Sequence, residues 1–127
     1  MHVRLLLFLL LLLPQYALAQ SRQCTFTWSQ VTTNADGSAI TDLAGYQLYM
    51  RASSSASYPQ TPTKQMPLST LTTPAQPSTT APCATGQLWV VRAYDTTMNV
   101  SDNSNEIVVA APPDTVPPAA PTNFRSQ

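Results

Sequence analysis

The chain has 127 residues, and its six basic and six acidic side chains give a formal net charge of zero. Charged residues make up only 9% of the sequence, and no basic run is present. This composition argues against nucleic acid or an anionic lipid surface as a partner, since both are bound through clustered Lys and Arg.

The first 19 residues have the three parts of a secretory signal peptide: a short basic start, an apolar run over residues 5–13, and a small-x-small pattern ending at Ala19. A membrane anchor is the alternative. The apolar run is too short to cross ~30 Å of hydrocarbon, and Pro14 interrupts it. We therefore expect cleavage before Gln20 and export to the periplasm or the exterior. We expect one domain and no membrane insertion after processing.

Two cysteines, Cys24 and Cys83, remain after the predicted cleavage. In an oxidising compartment such a pair usually forms a disulfide, and a loop of about 60 residues closed in this way gains roughly 4 kcal/mol in the chain-entropy treatment. Two free thiols or a metal pair are the alternatives. Because the only histidine, His2, leaves with the signal peptide, a Cys/His metal site has few ligands. We expect no metal and no cofactor.

Strand patterns begin immediately after the signal peptide. Residues 24–29 alternate apolar and polar side chains with period two, which predicts a half-buried strand. Residues 34–38, Asn-Ala-Asp-Gly-Ser, predict a turn, and residues 45–51 predict the next strand. The segment 52–82 is rich in Ser, Thr, Pro and Ala.

Proline lacks the backbone N–H that donates to a neighbouring strand. This segment therefore favours only short edge strands, near residues 64–68 and 78–81. A mucin-like segment or linker is the competing interpretation. It is less favoured because residues 88–95 form the strongest strand pattern in the chain, followed by another at 106–111. Residues 113–127 read as a proline-rich linker with a strand-like tail.

The alternation assigns inward and outward side chains. The predicted core comprises Phe26, Trp28, Tyr46, Leu48, Trp89, Val91, Ile107 and Val109. The outward residues form a candidate binding face for a protein or glycan: Tyr49, Arg51, Leu88, Val90, Arg92 and Tyr94. Tyr and Arg are favoured at recognition surfaces, and aromatic rings stack on sugars. The alternative is a face of ordinary cross-strand pairs, solvated or covered by the segment 52–82.

The sequence contains no candidate catalytic site. The processed chain has no histidine to activate a serine, and three glycines in the whole chain exclude a glycine-rich phosphate loop. Asp36 and Asp42 flank one loop and are candidate Ca²⁺ ligands, but calcium needs six to eight oxygens, so turn capping is favoured. We expect no enzymatic activity.

Residues 24–111 resemble a fibronectin type III domain of the bacterial or phage type. Phe26-Thr27-Trp28-Ser29 is similar to the second strand of that family, and residues 89–95 are similar to its sixth strand. The resemblance implies an all-β, immunoglobulin-like antiparallel β-sandwich over residues 20–112. It also implies that Cys24 and Cys83 lie at one pole, which favours their disulfide. The family's corner tyrosine falls at Gln87, which leaves its backbone hydrogen bond in doubt.

The resemblance also implies that the sandwich lacks its first strand. Only residues 20–23 separate the cleavage site from Cys24, whereas residues 121–125 resemble a first strand that follows a linker. Three explanations remain open: a shortened domain with a frayed tail, a tail that folds back on its own domain, and a tail donated head-to-tail to the next subunit. Strand direction disfavours the second.

We therefore expect a secreted, non-catalytic binding, adhesion or spacer module that is associated with a cell surface or a phage. The alternative function is a self-assembling structural subunit that uses its C-terminal tail as a donor strand.

Overall fold

A computed structural model describes residues 22–126, so the predicted signal peptide lies outside the described residues. The described chain is all-β apart from one short 3₁₀ turn at Leu68–Thr70. Its strands are β1 Arg22–Thr27, β2 Leu43–Arg51, β3 Lys64–Pro67, β4 Ser78–Cys83, β5 Leu88–Asp95 and β6 Ile107–Val108. No helix in this range is long and apolar enough to cross a membrane.

The strands form two antiparallel sheets. One has only two strands, β1 and β4, and the other has four in the order β3-β2-β5-β6. Because both sheets contribute to one apolar cluster, the arrangement is consistent with a β-sandwich. Phe26 and Trp89 make the central contact between the sheets, with their ring centroids 4.7 Å apart. Trp28, just after β1, packs edge-on against Tyr46 at 5.1 Å.

The predicted core is largely confirmed. Five of the eight residues are buried: Phe26, Tyr46, Leu48, Trp89 and Val109. Trp28 and Val91 are partly buried against the same cluster.

The prediction that Ile107 belongs to the core is wrong, because 43% of its surface remains exposed. Its strand lies at the side of the larger sheet, where the two-stranded sheet does not cover it.

The predicted final strand is also shorter than expected. Residues 106–111 were predicted to be extended, but only Ile107–Val108 pair regularly with β5. The reason is that β5 begins at Leu88, which lies opposite Val108, so residues 109–111 have no strand to pair with.

The disulfide between Cys24 and Cys83 is present, with their Cα atoms 5.8 Å apart. Cys24 lies opposite Ala81 and Cys83 lies opposite Arg22. The bond therefore joins β1 to β4 diagonally within the small sheet. It fits an oxidising environment.

The turn between β4 and β5 is closed by Gln87. Its side-chain Oε1 accepts a hydrogen bond from the backbone N–H of Ala84 at 2.8 Å.

The disulfide should contribute strongly to stability, because an isolated two-stranded sheet is marginal in water. Replacing both cysteines by serine is expected to lower the free energy of unfolding by about 2–5 kcal/mol. Urea unfolding followed by tryptophan emission measures this. An unchanged midpoint in the double variant would contradict the assigned role.

Candidate functional site

The predicted binding face lies on the outer surface of the larger sheet. Tyr49 is paired with Val90, and Arg51 with Leu88, so the register places these side chains together as expected. Four of the six predicted residues are nevertheless buried, with exposures of 3–8%: Tyr49, Leu88, Val90 and Tyr94. Their aromatic and aliphatic surfaces are not open to a ligand.

Neighbouring side chains on the same face account for this burial. The Arg92 guanidinium lies over the Tyr49 ring, 4.3 Å from its centroid, and Arg92 Nε donates to Asn103 Oδ1 at 2.6 Å. The Tyr49 hydroxyl donates to Gln47 Oε1 at 2.8 Å. Only the Arg92–Tyr49 contact joins two strands, and together the three contacts satisfy the polar groups of Tyr49 and Arg92 within the protein.

The Arg51 side chain is hydrogen-bonded within a separate polar cluster at the end of β2. Its Nε and Nη2 donate to the Glu106 carboxylate at 3.0 and 2.9 Å. Its Nη1 donates to the carbonyls of Ser54 and Ala56, both at 3.0 Å. The Tyr58 hydroxyl donates to Glu106 Oε2 at 2.5 Å. The cluster ties the loop after β2 to the start of β6.

The pKa values in this cluster follow from the same contacts. Hydrogen bonds from Arg51 and Tyr58 hold the pKa of the Glu106 carboxyl below its usual value. Burial, followed by the bond to Glu106, raises the pKa of Tyr58 to about 12. Every polar group of the cluster has a partner, so its arrangement is structural.

A groove of about 440 Å³, here called the edge groove, opens at the side of the sandwich. It lies between β1 and residues 101–107. The partly exposed apolar side chains that line it are Trp28, Val31 and Val91, and behind them lie the core residues Phe26, Tyr46, Leu48 and Trp89, which are only 1–6% exposed. Ile107, which the small sheet leaves uncovered, also lines it.

The first wall of the edge groove includes Thr27, at the free edge of β1, a strand that pairs only with β4 among residues 22–126. The backbone N–H of Trp28 donates to the Pro77 carbonyl at 3.1 Å, which identifies the residues of β1 whose backbone groups face β4. Because backbone groups alternate sides along a strand, the N–H and C=O groups of Gln23, Thr25 and Thr27 point to the free edge. An unpaired edge of this kind is a template for another extended chain.

The second wall is polar and irregular. Ser101 Oγ and Ser104 Oγ accept hydrogen bonds from the backbone N–H groups of Ala93 and Val91, at 2.9 and 3.0 Å. Because these hydroxyls satisfy the β5 donors, the segment needs no regular strand there.

The edge groove also contains two unsatisfied donors. Trp28 Nε1 and Trp89 Nε1 are buried, and neither has a hydrogen-bond partner among the described residues. An unpaired buried donor costs about 1–3 kcal/mol, and such groups are uncommon in folded proteins. Both nitrogens are enclosed, so an incoming acceptor reaches either of them only if neighbouring side chains move.

Asp36, a candidate calcium ligand, caps a turn. Asp36 Oδ1 accepts from the backbone N–H and the hydroxyl of Ser38, at 2.9 and 2.6 Å, and these bonds lower the Asp36 pKa. Over residues 22–126 there is no group of three or more side chains of the kinds that hold a metal ion.

No protein-family model, curated protein or solved structure matches this chain. The functional argument therefore rests on the edge groove. Sequence reasoning did not identify this site, because alternation assigned Phe26, Trp28 and Trp89 to the core and gave no sign of a groove beside them.

The Glu106 cluster generates a pH-dependent prediction. Because the folded-state pKa of Glu106 is lowered, its stabilisation is present above the unfolded pKa and is lost as the pH falls through the folded pKa. Glu106→Gln should therefore lower the melting temperature at neutral pH and have little effect in strong acid, where the wild-type carboxyl is protonated. Asp114→Asn, in the exposed linker, is the control. An equal difference at both pH values would count against this account.

Proposed function

We propose that this protein is a secreted, non-catalytic binding module of the fibronectin type III-like kind, and that it binds an extended chain along the edge groove. The observation that carries the proposal is the free edge of β1 beside an apolar groove of about 440 Å³ with two unpaired indole N–H groups.

The strand order supports the family assignment. In the numbering that the resemblance implies, β1 is the second strand, β2 the third and β5 the sixth. Their division between a small sheet and a larger one, with β2 beside β5, agrees with this numbering. The free edge of β1 is then the place of the first strand.

The binding mode is β-augmentation. An added strand would form backbone hydrogen bonds with the outward N–H and C=O groups of β1, and these bonds supply affinity. Every second side chain of the added strand would enter the groove and supply specificity. The groove volume lies within the usual range for ligand pockets, about 300–1,000 Å³. The favoured ligand is a peptide with one large apolar side chain and an acceptor close to it.

A glycan is the weaker candidate partner. The aromatic rings that would stack on a sugar, Tyr49 and Tyr94, are 3% and 5% exposed. Trp28 and Trp89 lie in a groove between two sheets, where neither presents an open ring face.

Tryptophan emission tests the proposal, because both tryptophans of the chain line the edge groove. Peptides selected from a displayed library on the processed protein are expected to shift this emission saturably. Thr25→Pro removes a donor that points to the free edge and leaves the β4 bonds in place, so it should abolish the shift. Thr25→Val is the matched control and should preserve it.

Selected peptides that bind the Thr25→Pro variant as tightly as the wild type would refute binding along β1. Circular dichroism of both variants establishes that the fold is retained.

A further inference from the structure

We propose that the occupant of the edge groove is the C-terminal tail, residues 121–126, of a second copy of this chain. The tail enters antiparallel to β1, so that successive copies join head-to-tail. This inference rests on the proposed function and names the partner of the same groove.

The tail is an apolar segment that its own domain does not use. All residues from 110 to 126 are exposed, and the Phe124 side chain is 99% exposed. A fully exposed phenylalanine is unusual in a chain whose other phenylalanine in the described range is buried in the core. The tail therefore carries a large side chain without a contact.

The side chains of the tail match the chemistry of the groove. Thr122 and Phe124 fall on the same face of an extended strand, because side chains alternate with period two. Phe124 would pack against the partly exposed apolar side chains that line the groove, Trp28 and Val91, and the Thr122 side chain would enter the same groove. Insertion requires Asn123 to leave its left-handed conformation, φ 59°, which asparagine tolerates but does not require.

The charges also match. Asp102 lines the edge groove, and Arg125 follows Phe124 in the tail. The ion pair found among the described residues is Arg51–Glu106, so Asp102 and Arg125 are both unpaired there. A tail with Phe124 in the groove would hold Arg125 at its mouth, near the Asp102 wall.

Strand direction favours a second copy over the chain's own tail. The tail departs beside the beginning of β1, where Arg22 Nη1 donates to the Ala110 carbonyl at 2.7 Å. A strand antiparallel to β1 must instead enter at its Thr27 end, ~20 Å away for six residues. Prolines at positions 112, 113, 117, 118 and 121 favour an extended linker, which opposes the necessary reversal.

The resulting contact is heterologous, since it joins the tail of one copy to the groove of the next. A pair of copies leaves one groove and one tail free, so further copies add to an open chain unless the rotation from one copy to the next closes a ring. The expected products are short oligomers whose mean mass rises with concentration.

Sedimentation velocity of the processed full-length protein, from low to high micromolar concentration, tests this inference. The wild type should associate. Phe124→Ser should weaken association at least about tenfold, because it removes a buried aromatic side chain. Val116→Ser changes an exposed linker residue and is the matched control, which should associate like the wild type.

Exchanging the charges at positions 102 and 125 tests whether these two side chains meet in the contact. Asp102→Arg and Arg125→Glu should each weaken association about twofold to fivefold. The variant that carries both changes should recover most of the loss. If the double variant is weaker than either single variant, the two side chains do not meet, and the proposed register is overturned.

Three other results would overturn the inference. The wild type could remain monomeric at every concentration. Thr25→Pro could associate as well as the wild type, which would place the contact on another surface. The wild type could remain monomeric and yet differ from Phe124→Ser in tryptophan emission at every dilution, which would show that the tail occupies its own groove.

A synthetic peptide of residues 114–127 separates this inference from the proposed function. If the library peptides bind the groove and this peptide does not, the edge groove accepts extended chains but not the tail, and only the inference fails. If neither binds, both proposals fail.

Discussion

The two sheets differ in width, and the rest of the structure depends on this mismatch. Two strands, β1 and β4, cover a sheet of four. A pair of strands is marginal as a sheet, so the Cys24–Cys83 bond across its end and the contact of Phe26 with Trp89 have to hold it in place. The side of the larger sheet that the pair does not reach remains open.

Several irregular features follow from that open side. Ile107 has no cover from the smaller sheet and stays partly exposed. Ser101 and Ser104 satisfy the β5 backbone through their hydroxyls, so residues 101–104 run beside β5 without forming a regular strand. The indole donors of Trp28 and Trp89 have no acceptor among the described residues. All of them border the edge groove, which is why we place the function there.

The outer face of the larger sheet illustrates the opposite situation. Its tyrosines and arginines have the composition of a recognition surface. Because Arg92 lies over Tyr49 and Arg51 is bound by Glu106 and two loop carbonyls, these groups are already paired with one another. Composition indicates which residues are able to bind a ligand, whereas burial decides which of them are free to do so.

The sequence by itself determined the strands and most of the core. Period-two alternation identified β1, β2 and β5, and the proline spacing predicted the short strand β3, whereas β4 continues beyond the predicted residues 78–81 through Pro82 to Cys83. Cys24 and Cys83 were predictable as a pair because no other cysteines compete. Only the tertiary structure decided what is exposed: that Tyr49 and Tyr94 are buried, that Ile107 is not, and that a groove opens beside β1. Alternation reports which face of a strand a side chain occupies, but it contains no information about what lies opposite that face.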